Sequence, residues 1–95
     1  MEVGTSPGAA CMDRRTFVTK FIGSVTADIG SLTQNLKLDL TRRAGELYDS
    51  EPQLYGSIAD QEMDFMVSGG DEGVIPAELV AKYPKLNSLL EDIYA

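Results

Sequence analysis

The sequence predicts an all-α fold, a small bundle of four to five helices behind a flexible N-terminal tail. Three observations carry this reading. Apolar residues recur every three or four positions over much of the chain, which is the stripe of amphipathic helices. Glycines, prolines and capping residues divide that stripe into pieces. The chain has 95 residues, 43% of them hydrophobic, which suits an ordinary globular domain with one core.

Residues 1–12 hold Gly, Pro, Ser and Thr without periodicity and are expected to form the flexible tail, leaving 13–95 as a single helical domain. From Asp13 to Tyr48 the apolar positions Val18, Ile22, Val25, Ile29, Leu32, Leu36, Leu40, Ala44 and Leu47 keep helical phase. One continuous helix over that span would run roughly 54 Å, against a radius of gyration of about 12 Å for a globule of this size. Gly30 supplies a stop, and Ser31 with Gln34 has the form of a capping box that restarts the helix, although the unbroken phase also permits one long rod. The alternation of Leu36, Leu38 and Leu40 admits a strand, which leucine does not favour.

A second capping box, Ser50 to Gln53 with Pro52 in the first turn, is expected to open a helix with Leu54, Tyr55, Ile58, Phe65 and Met66 on its inner face, ended by Gly69 and Gly70. Pro76 starts a short helix, with Val74 placed to staple against Leu79. Pro84 closes that helix and opens the last one, whose Leu86, Leu89, Leu90 and Ile93 share a face.

With no histidine and one cysteine, the chain contains no Ser-His-Asp triad, no Cys-His pair and no internal disulfide. A reducing intracellular location, the cytoplasm in the simplest case, is the expectation, and no run of residues reaches the length of a membrane span. Charge is lopsided: residues 1–43 carry six Lys/Arg against four Asp/Glu, residues 44–95 two against eleven, for a net charge of -7. The acidic half repels nucleic-acid phosphate and anionic lipid, so direct nucleic-acid binding is not expected. The basic half is complementary to an acidic half, its own or a neighbour's.

Four short patterns carry a functional reading beside a plainer one. Arg14-Arg15-Thr16-Phe17-Val18 resembles the twin-arginine export motif, yet Lys20 and Asp28 interrupt the apolar run that should follow. Asp60, Glu62 and Asp64 repeat the spacing of an EF-hand loop, but Phe65 stands where glycine must turn the chain, so an outer helix face is the simpler reading. Leu86 to Leu90 is an LxxLL sequence, suited either to docking in a partner's groove or to a core. Gly23, Ala27 and Gly30 form a small-residue flank on which another helix can approach closely.

No phosphate loop, nucleophile elbow or paired-carboxylate motif appears, so the expectation is a protein without enzymatic activity, cofactor or metal. The function expected is that of a protein-interaction module, a small accessory, adaptor or structural subunit. It would bind a protein partner or a second copy through Val18, Ile22, Gly23, Val25, Ala27, Ile29, Gly30, Leu32 and Leu36. The alternative is an acidic decoy that occupies a basic nucleic-acid or anion site on an enzyme.

Overall fold

The computed structural model describes residues 11–95, and of 70–72 the backbone alone. The described residues form six helices and no strand: α1 (Arg14–Ile29), α2 (Gln34–Ser50), α3 (Pro52–Gly56), α4 (Asp60–Glu72), α5 (Ala77–Lys82) and α6 (Pro84–Tyr94).

Helix α1 begins where Asp13 accepts a hydrogen bond from the Thr16 amide at 2.8 Å, the side-chain cap that a first turn requires. It ends at Gly30, whose φ of 96° lies where only glycine sits without strain. The longest extent of the molecule is 41 Å, too short for the continuous rod. The restart is one capping residue later than expected: Thr33 caps α2 by accepting from the Leu36 amide at 3.1 Å, so Ser31 and Gln34 form no box. The connection spans residues 30–33, short enough to return α2 antiparallel to α1, and Arg14 meets Asp49 at 3.0 Å across the far end of the pair. The Arg14 guanidinium lies over Gly45, occupying the space a Cβ there would need.

One unexpected break, after Gly56, makes the helix count six rather than four to five. Ser50 remains in α2 and donates to the Leu47 carbonyl at 2.6 Å, so the expected box at Ser50 is not made, and α3 stops after five residues. The stop follows from what lies against Gly56. The Met12 amide donates to the Gly56 carbonyl at 2.8 Å, and the Met12 carbonyl stands 3.0 Å from where a Cβ on Gly56 would be. Helix α4 then starts at Asp60, with Glu62 accepting from the Ala59 amide at 3.0 Å. Gly69 and Gly70 do not end α4. The chain leaves the helix at Gly73, φ 80°, with the Val74 amide donating to the Gly69 carbonyl at 2.7 Å in a Schellman closure. Gly69 is needed there, since a Cβ would strike the Val74 carbonyl and lie 3.0 Å from the Ile75 Cα.

Pairings fix the directions of the long helices. Lys20 with Asp60 at 2.9 Å and Ser24 with Asp64 at 3.0 Å run α1 and α4 parallel, with a constant offset of 40 residues. Arg43 with Asp92 at 2.5 Å and Lys85 with Glu51 at 3.4 Å run α6 antiparallel to α2. Three parallel helices, α1, α4 and α6, therefore finish at one pole, where α2 begins. Between them lies the core. Phe17, Phe21, Leu40, Met66, Leu86 and Leu90 are fully buried, and an aromatic row joins Phe17 to Tyr55 at 5.7 Å and Tyr55 to Tyr83 at 5.9 Å. Phe65, expected on the inner face, is 58% exposed, because Met63, Met66 and Val67 supply that face of α4. Val74 is 71% exposed and makes no staple with buried Leu79.

Of the expected tail, residues 1–10 lie outside the described residues. Met12 packs partly against the core and is tied to the fold, its carbonyl accepting from the Tyr48 hydroxyl at 2.8 Å. No helix among the described residues is long and apolar enough to cross a membrane.

Candidate functional site

The nine residues of the expected interaction surface part company in the fold. Val18 and Val25 face inward and are buried, and Ile22 and Leu32 pack partly against the same core. Gly23, Ala27, Ile29, Gly30 and Leu36 are exposed. The helical stripe is thus largely a core stripe, and what reaches solvent is its C-terminal end together with the turn into α2. Leu38 joins the exposed set at 59%, against 39% for Ile29 and 37% for Leu36. It stands off the stripe, and its alternation with Leu36 and Leu40 was the only signal that marked it.

The small-residue flank meets a helix of its own chain in part. Ser24 bonds Asp64 of α4, and Gly23, Ser24 and Ala27 border a cleft of about 360 Å³ against Asp60, Met63 and Asp64. Gly23 and Gly30 nevertheless have open space where a Cβ would project.

Charge complementarity between the two halves is met within one chain. Lys20 holds Asp60 and Arg43 holds Asp92, each joining a helix of the basic half to one of the acidic half, while Arg14 reaches Asp49. Lys82 and Lys85, the two cations of the acidic half, hold Glu62 and Glu51. All five pairs are partly or largely solvated, so each contributes little stability, but together they set the register in which the helices meet.

Glu62 is the most elaborated polar group. It accepts from the Ala59 amide, from Lys82 Nζ at 2.8 Å and from the Tyr83 hydroxyl at 2.8 Å. Burial pushes its carboxyl up, but the hydrogen bonds from Lys82, Ala59 and Tyr83 outweigh that and hold it below the ordinary glutamate value. Burial, reinforced by the hydrogen bond to Glu62, raises the Tyr83 hydroxyl, and the Glu62 hydrogen bond raises Lys82. The arrangement braces the start of α4 against the junction of α5 and α6. It positions no nucleophile.

The remaining motifs take their plainer readings. Leu86, Leu89 and Leu90 are all buried, so the LxxLL leucines are core and not a docking face. Asp60, Glu62 and Asp64 lie on helix α4, which cannot wrap an ion as a loop does, and no group of metal-ligating side chains occurs among the described residues. Arg14 and Arg15 occupy the first turn of α1.

Comparison with known proteins returns no relative. No family matches the chain, and no curated protein or solved structure shows significant similarity to it. The exposed residues themselves are therefore the basis for any functional reading. They lie at the α1–α2 corner, in Phe65 near the middle of α4 and Val74 just beyond its end, and in a cleft of about 490 Å³ bordered by α4, α5 and α6.

Proposed function

We propose that the protein is a non-enzymatic interaction module, a small accessory or structural subunit that binds another protein through the α1–α2 corner. The supporting observation is the apolar surface there. Ile29 and Leu36 stand exposed on either side of the turn and Leu32 half-buried within it, Leu38 is exposed on another face of α2, and a Cβ on Gly30 would meet open space. Exposed apolar side chains gathered at one corner of a small acidic domain suit a partner's apolar surface. The surface is smaller than the sequence suggested, since Val18 and Val25 belong to the core. The acidic-decoy reading has less behind it, because Asp49, Glu51, Asp60 and Glu62 are engaged with the chain's own cations.

Two aspartate substitutions separate fold from surface. Val25→Asp places an unpaired carboxylate at a fully buried position, a change worth several kcal/mol, and circular dichroism should show loss of helix. Leu36→Asp should leave the helical spectrum intact and abolish the oligomer or hetero-complex seen by sedimentation of the parent protein. A parent that sediments as a clean monomer and captures nothing would refute the reading.

A further inference from the structure

We infer that the cleft between α4, α5 and α6 receives a basic amphipathic helix of a partner protein, at a surface separate from the α1–α2 corner. The cleft encloses about 490 Å³ over a floor of Ile75, Val80, Leu90 and Tyr94, with Asn87 and Glu91 at its rim. Gly69 and Gly73 form part of its wall, so a visiting side chain meets backbone there. Exposed Val74 extends the apolar surface beyond the mouth.

Among the described residues that line this cleft the one charged side chain is Glu91. Glu91 is exposed and makes no ion pair or hydrogen bond among the described residues. Beyond it, the Tyr94 hydroxyl donates to Asp28 at 2.9 Å, and Asp28 shares a neighbouring cleft with Asp64. The last turns of α1, α4 and α6 carry no basic residue, so the carbonyl ends of three parallel helices meet at this pole without a cation of their own. Arg43, which pairs with Asp92, borders a cleft on the opposite face of α6.

An occupant must bring apolar side chains for the floor and positive charge for the rim, which an amphipathic helix with leucines at i, i+3, i+4 and i+7 flanked by lysines does. Anionic lipid and nucleic acid carry the wrong charge for a cleft whose charged lining residue is Glu91. A second copy of the chain, at net charge -7, carries the wrong charge too.

The test uses the full chain and a fluorescein-labelled leucine-lysine amphipathic peptide, read by anisotropy. The peptide should bind, and more weakly as salt rises. Replacing its lysines by glutamate, or its leucines by serine, should each abolish binding. Glu91→Lys should weaken it by roughly tenfold or more, whereas Glu46→Lys, the same change in net charge on exposed α2, should alter it by less than about twofold. Amide shifts on titration should centre on Gly73, Val80 and Asn87. Equal effects of the two substitutions, undiminished binding of the serine peptide, binding of the chain to phosphatidylserine vesicles in place of the peptide, or shifts centred elsewhere would each overturn the assignment. Leu36→Asp should leave this binding unchanged, so failure at one surface is told apart from failure at the other.

Discussion

Glu62 ties together three parts of the chain: the start of α4, the end of α5 and the tyrosine before α6. Its side chain is 23% exposed, enough burial for its hydrogen bonds to matter. Glu62→Gln should destabilise the fold by about 1.5–3 kcal/mol, the range for hydrogen bonds to a charged group. A carboxyl held more acidic in the folded state binds fewer protons than in the unfolded chain. Its contribution is therefore complete above the ordinary value of 4.5 and is lost as pH falls through the lower folded value. Urea melts of the parent between neutral and acidic pH should show that loss, and Glu62→Gln should show less of it over the same interval.

At the scale of the element, the end of α4 depends on the backbone of residues 74 and 75 lying flat against Gly69. Gly69→Ala raises helix propensity, yet the added methyl would collide with the Val74 carbonyl, so we expect a destabilisation of about 1–3 kcal/mol and a lower thermal midpoint. Gly30, Pro76 and Pro84 could be read from the sequence because each acts locally, through its own φ or its missing amide. The break after Gly56 could not, since what stops α3 is the backbone of Met12, more than forty residues away in the chain. Ser31 and Ser50 were misleading for a related reason. Both are good capping residues, but each has a competitor for the same turn: Thr33 for the first, continued α2 for the second. The candidate surface was legible only at its end. Periodicity marks apolar positions alike, whether they face a core or a partner, so Val25 and Ile29 looked equivalent until the packing of α4 distinguished them.

For the whole molecule, eight leucines and phenylalanines buried to 8% or less contribute to the core among the described residues, while Leu36, Leu38 and Phe65 stand outside it. Leu90→Ala should cost about 2–5 kcal/mol from a total that, for this length, is about 5–14 kcal/mol. Leu38→Ala, at 59% exposure, should stay within about 0.5 kcal/mol in the same denaturant titration. A comparable loss from both would mean that α2 packs differently from the arrangement described.

The parallel course of α1 and α4 also bears on the order in which the chain assembles. Antiparallel α1 and α2 meet through a four-residue turn, whereas Lys20 and Asp60, 40 positions apart, meet only after the chain between them has been closed into a loop. Local pairing is entropically cheaper to nucleate, so the α1–α2 hairpin should already be formed in the rate-limiting transition state, with α4 docking after it. Stopped-flow chevrons give the measure. Ala44→Gly, in the hairpin core, should chiefly slow folding, with a φ-value of about 0.5 or above, and Val67→Ala, on the buried face of α4, should chiefly speed unfolding, with a φ-value near zero.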